Sequence, residues 1–145
     1  MIVRFYNEIK DEKLKFAVIA ARIGTKWVFV RHRKRSTYEL PGGHRETGER
    51  IFDTAKRELY EETGITGSLL HEVSVYSVEG KTRVNETGEE TYGMLYFTEA
   101  AALGELPQSE IQEVVLLEEE PDQWTYPGIQ PHLLARVKEW LSEHT

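Results

Sequence analysis

Two short, almost unbroken apolar runs, residues 15–21 and 27–30, are parted by Gly24-Thr25-Lys26. Continuous rather than alternating apolarity predicts strands buried on both faces, and the turn residues between them predict a hairpin. Residues 69–78, 92–97 and 111–117 are rich in β-branched, aromatic and aliphatic side chains and read as further strands. The period changes over residues 50–63, where Phe52, Ala55 and Leu59 recur at helical spacing as a core-facing stripe. Thr47 is the expected N-cap of this helix, and Gly64 stands where a left-handed C-cap belongs. A second helix is predicted over residues 129–142, with Leu133, Leu134, Val137, Trp140 and Leu141 as its apolar face and Pro131 tolerated in its first turn. Residues 79–90 are polar and read as a mobile connection between strands.

No internal repeat and no Pro/Gly/Ser linker interrupts this order. The 145 residues are therefore expected to form one domain, residues 1–145, of the α+β class, with a mixed sheet between helices in an α/β/α sandwich. Hydrophobic residues at 39% and charged residues at 30% fit a water-soluble chain. No run approaches the roughly 18 apolar residues of a membrane span, and the start of the chain lacks the pattern of a signal peptide, so the expected address is cytoplasmic with no membrane partner.

Charge and cysteine content narrow the chemistry. A net charge of −7 argues against long nucleic acid as a partner, which distributed Lys and Arg would have to grip. With no cysteine, a metal must rest on carboxylate, imidazole or carbonyl, which favours a hard cation such as Mg2+. The five histidines, His44 among them, fall at no ligand spacing such as His-x-x-x-His.

The end of the first helix carries Arg57-Glu58-Leu59-Tyr60-Glu61-Glu62-Thr63-Gly64-Ile65. At about 100° per residue, Glu58 and Glu62 stack one turn apart with Glu61 beside them. Three carboxylates thus crowd the helix end whose dipole is already negative, each misplaced by roughly 0.3–1 kcal/mol. A helix selected for stability alone would avoid this arrangement. A divalent cation reverses the argument, because clustered carboxylate oxygens are what it binds.

Upstream stand Pro41-Gly42-Gly43 and Glu49. The complete spacing is Gly43, five residues, Glu49, seven residues, Arg57-Glu58-Leu59, one residue, Glu61-Glu62, one residue, Gly64-Ile65. Chance supplies it on the order of once in ten million chains of this size at average residue frequencies. The stretch resembles the Nudix box at every defined position, and Tyr38-Glu39-Leu40-Pro41-Gly42-Gly43 is similar to that family's lead-in, with Tyr where Trp is frequent. The resemblance implies a hydrolase of the MutT-like kind that needs Mg2+, with Mn2+ able to substitute. It also implies that Glu58, Glu61, Glu62 and the carbonyl of Gly43 hold metal, that Glu58 and Glu62 are catalytic, and that Glu49 and Arg57 orient loop and helix.

Outside the box the readings are looser. Residues 31–35, Arg-His-Arg-Lys-Arg, follow the second strand. If that strand continues, Arg31 and Arg33 share a side and reach one phosphate chain as substrate-binding residues. Glu90 is named as an additional metal ligand or base, and Glu110 as a contact to the nucleobase. The expected reaction is hydrolysis of a pyrophosphate bond in a nucleoside diphosphate derivative, with a (deoxy)nucleoside triphosphate, oxidised guanine included, giving monophosphate and pyrophosphate. ADP-ribose, nucleotide-sugar or RNA 5′-end hydrolysis, and a non-catalytic nucleotide-binding module, are the alternatives. About 14 residues precede the first strand read from the pattern, less than the N-terminal region with which many ADP-ribose-cleaving relatives pair their subunits. A monomer or homodimer acting on a small nucleotide is expected.

Overall fold

In the computed structural model, which describes residues 1–107 and 110–145, seven strands form one sheet. They are β1 (Ile2–Tyr6), β2 (Leu14–Ile23), β3 (Lys26–His32), β4 (Gly42–His44), β5 (His71–Glu79), β6 (Thr91–Glu99) and β7 (Ile111–Leu117). Helix α1 spans Ile51–Thr63 and α2 spans Gln130–Glu143. The strand order is β1-β5-β6-β2-β3-β7, with β4 on β2; β2 and β6 run parallel and the other pairs antiparallel. This is the mixed sheet that the pattern predicted.

Alternation along β2 explains its unbroken apolar run. Ala17, Ile19 and Ala21 pack with Ile51, Ala55 and Leu59 of α1, while Val18 and Ala20 pack with Leu133, Leu134 and Val137 of α2. Both faces are covered, so neither can be polar. The apolar stripe of α1 keeps Ala55 and Leu59 as expected, but Ile51 takes the place of Phe52, which is 38% exposed. Arg50, rather than Thr47, caps the helix, its backbone N–H donating to Asp53 at 3.2 Å. Gly64 ends the helix at φ 76° as predicted, and its N–H donates to the Tyr60 carbonyl.

Two strands had no clear signal. β1 pairs with β5 at the sheet edge, where exposed and half-buried positions do not repeat with a useful period. β4 is three residues of glycine loop laid along β2, with Ala17 opposite Gly43 and Val18 opposite Gly42. A β-carbon at residue 42 would collide with the Ala17 carbonyl oxygen, so only glycine lets the loop approach that closely. The 80–90 connection is tied to itself through Asn85, whose Nδ2 donates to the Glu89 carbonyl and whose Oδ1 accepts the Gly88 N–H. Among the described residues no helix is long and apolar enough to cross a membrane.

Candidate functional site

A cleft of about 620 Å3 opens where the glycine loop, the last turns of α1 and the start of α2 meet the sheet. One end is ionic, lined by Arg57, Glu58, Glu61 and Glu62. The other is mainly apolar, lined by Tyr76, Val78, Ile129 and Leu133, which cluster on the α2 side of the sheet.

The loop and the helix are joined by two carboxylates. Glu62, only 7% exposed, accepts the N–H of Gly42 at 2.9 Å. The Glu58 carboxylate lies against Gly43, in space that a β-carbon at residue 43 would fill. Arg57 completes the junction. Its guanidinium meets Glu49 with Nε at 2.6 Å and Nη2 at 3.0 Å, donates from Nη1 to Glu58 at 2.5 Å and Glu61 at 3.1 Å, and reaches the His44 carbonyl at 3.0 Å. Paired planar donors and a carboxylate fix both partners in angle as well as distance. Glu49 also accepts the Glu46 N–H and the Thr54 hydroxyl.

Charge is distributed unevenly over these acids. Arg57 holds the Glu49 carboxyl down to about 2, with the Glu46 N–H and the Thr54 hydroxyl helping. Burial pushes Glu62 up to about 8, against the pull of the Gly42 N–H and with a further push from Glu58. Glu58 is raised as well, by burial first, although Arg57 opposes it. Burial, more than the neighbouring charges, raises both carboxyls, while Arg57 pulls Glu58 down and His32 pulls Glu62 down.

Among the described residues, no group of three or more Asp, Glu or His side chains is gathered so as to hold a metal ion. Glu58 and Glu61 each turn an oxygen to Arg57, and Glu62 turns one to the Gly42 N–H. The donor set nevertheless suits a hard divalent cation: oxygen ligands only, two of the carboxyls raised by burial, and a glycine that leaves Glu58 room beside the loop.

The basic segment is arranged differently from the expectation. β3 ends at His32, so Arg33 stands in a turn and does not share a strand face with Arg31. Arg31 pairs with Glu113 at 3.2 Å, alongside the Tyr38 hydroxyl on the same carboxylate. Neither Arg31 nor Arg33 lines the cleft; His32 and Arg35 do. His32 Nε2 lies 3.5 Å from both Glu62 Oε2 and Glu39 Oε1, and Arg35 donates to Glu39 at 3.1 Å. Glu39 above all, with Glu62, raises the His32 pKa against its burial. Alternation could have found His32, because it shares its parity with Val28, which packs on the α1 side.

Glu110 is among the residues that line the cleft, and its carbonyl accepts the Arg33 N–H at 2.9 Å. Glu90 does not line it. Its carboxylate takes the hydroxyls of Ser77, Tyr6 and Tyr92 at 2.6, 2.7 and 2.9 Å and pairs with Arg4 at 3.3 Å. Those donors hold Glu90 down to about 2. Gln130, at the start of α2, was missed by the sequence reading. It is 6% exposed, lines the cleft and accepts the Leu40 N–H at 2.7 Å.

The sequence model of the NUDIX domain family matches residues 13–140. Over 80 residues the chain is 39% identical to the candidate 8-oxo-dGTP diphosphatase YtkD of Bacillus subtilis (strain 168), a match covering 55% of this chain and 50% of that protein. Over 54 residues it is 50% identical to the candidate mutator protein MutT4 of Mycobacterium tuberculosis, covering 37% of this chain and 20% of that one. The chain thus spans half or less of the length of these curated relatives. Among solved structures, a variant of the Bacillus subtilis pyrophosphohydrolase BsRppH superposes with a TM-score of 0.73 at 26% identity, over 94% of this chain and 90% of that one.

Proposed function

The chain belongs to the Nudix family, and from that premise we propose that it is a divalent-cation-dependent pyrophosphohydrolase that splits a (deoxy)nucleoside triphosphate into the monophosphate and pyrophosphate. The observation that carries this reading is the cleft itself, with a carboxylate cluster against a glycine loop at one end and an apolar slot at the other. A nucleotide needs both kinds of surface within one molecule's reach.

Glu58, Glu61, Glu62 and the Gly43 carbonyl would hold Mg2+ or Mn2+. When bound, the cation would lower the pKa of an attacking water and offset charge on the leaving phosphate. Glu49 and Arg57 position the rest: Arg57 fixes where the loop meets the helix and keeps Glu58 and Glu61 from drifting apart. His32 and Arg35 bring positive charge to the cleft, where a phosphate chain would pass. The apolar slot between Tyr76, Val78, Ile129 and Leu133 suits a flat base. Similarity to a candidate 8-oxo-dGTP diphosphatase supports an oxidised guanine nucleotide within the substrate range.

The test is a substrate panel in magnesium, with dGTP, 8-oxo-dGTP, ADP-ribose and a 5′-triphosphorylated RNA, scored by the phosphate product released. Higher kcat/KM for the mononucleotides, with pyrophosphate as product, is expected. Efficient cleavage of ADP-ribose to AMP and ribose phosphate, with triphosphates inert, would overturn it.

A further inference from the structure

The Gln130 carboxamide is held by one end only. Its Oε1 accepts the Leu40 N–H at 2.7 Å, and because a backbone N–H can only donate, the oxygen and nitrogen of the amide cannot be exchanged. The –NH2 end, with two donors, meets no acceptor among the described residues. Among those residues only Arg22 Nε and Tyr96 Oη are side-chain polar atoms both sealed from solvent and unpaired. Gln130 Nε2 therefore keeps its access, and the space against this residue is the cleft that it lines. Only Pro41 separates Leu40 from Gly42, so the same bond ties the amide to the loop at the ionic end of the cleft.

We propose that Gln130 is a specificity-determining residue that selects nucleobases presenting a carbonyl oxygen over those presenting an amino group, an inference that rests on the nucleotide reading above. Two N–H donors require an acceptor. Guanine offers O6 and N7, and uracil and thymine offer O4, whereas adenine and cytosine place an amino donor at the corresponding position. Oxidation of guanine at C8 puts a hydrogen on N7 but leaves O6 as an acceptor. Tyr76, Ile129 and Leu133 line the same cleft and offer a base apolar surface, and a base that sets an amino group against the amide leaves its N–H without an acceptor, which counts against it.

Binding of GMP and AMP in EDTA, followed by calorimetry, tests this without the metal or the reaction. The wild type is expected to hold GMP about tenfold more tightly than AMP. Gln130→Glu retains an acceptor for Leu40 but removes the donors, and should erase or reverse that ratio; Gln130→Ala should erase it. If Gln130→Ala fails to fold for want of the Leu40 bond, Gln130→Glu and the wild-type ratio still decide. Equal affinities in the wild type, or an unchanged ratio in folded Gln130→Glu, would overturn the assignment and leave the hydrolase reading intact. A Gln130-dependent GMP preference in a protein that hydrolyses no triphosphate would support the assignment and overturn that reading instead.

Discussion

The Glu58 carboxylate occupies the space beside Gly43 that any larger residue would need, whereas the space beside Gly42 is filled by the backbone of Ala17. The two glycines therefore differ in what a methyl group would displace. Gly42→Ala pushes against a sheet carbonyl that cannot yield and should cost roughly 1–3 kcal/mol of stability. Gly43→Ala pushes only on the end of a flexible side chain, so it should stay folded and lose activity as Glu58 turns away. Urea unfolding of both variants beside their turnover checks the contrast. Equal destabilisation of the two would show that Glu58 is not free to move.

Glu62 gives the metal-free protein a pH dependence of definite sign. Its carboxyl is raised to about 8 in the folded state, from an ordinary 4.5. Between those values the folded state binds more protons than the unfolded one, so stability falls as pH rises from 4.5 through 8. Glu62→Gln should flatten this slope and be the more stable protein at pH 8.5 in EDTA. Urea titrations at pH 5.5 and 8.5 read it directly, and a variant less stable than wild type at pH 8.5 would give Glu62 a structural role.

Glu90 acts at the opposite end of the scale. Its carboxyl is lowered to about 2 by Ser77, Tyr6, Tyr92 and Arg4. The stability that it contributes is present above 4.5 and lost as pH falls toward 2. Glu90→Gln should unfold more readily at pH 7, lose part of the wild type's acid sensitivity, and keep turnover within about threefold, since the carboxylate lies away from the cleft. A fall in turnover comparable with that of Glu58→Gln, in a folded protein, would return Glu90 to the metal site.

Saturating Mg2+ or Mn2+ should raise the melting temperature, because a ligand held only by the folded state stabilises it, by about 2.7 kcal/mol at a hundred times its Kd. The rise should be larger at pH 8.5 than at pH 6, where protons on Glu62 compete with the cation. Thermal scans of the wild type and Glu58→Gln in both buffers check this, and an equal rise in the variant would place the cation elsewhere.

What the sequence displayed was whatever depends on near neighbours. The α1 helix, its Gly64 cap and the carboxylates at its end follow from spacing within some fifteen residues, and the hairpin of β2 and β3 from one turn and two apolar runs. Contacts between distant segments were out of reach. Nothing local says that β3 stops at His32, which takes Arg33 off the strand face of Arg31. Nor does any local pattern bring Gln130 to Leu40 across ninety positions. Phe52 shows a milder limit, since Ile51 and Phe52 both suit the stripe of Ala55 and Leu59 and tertiary packing chose Ile51.

The central claim is that Glu58 and Glu62 hold the cation on which hydrolysis depends, and 31P NMR of dGTP turnover by wild type, Glu58→Gln and Glu62→Gln tests it most directly. With magnesium the wild type should yield dGMP and pyrophosphate, with EDTA no product, and each variant should be at least about a hundredfold slower even at saturating magnesium. Folded variants that keep most of the wild-type rate would contradict the account.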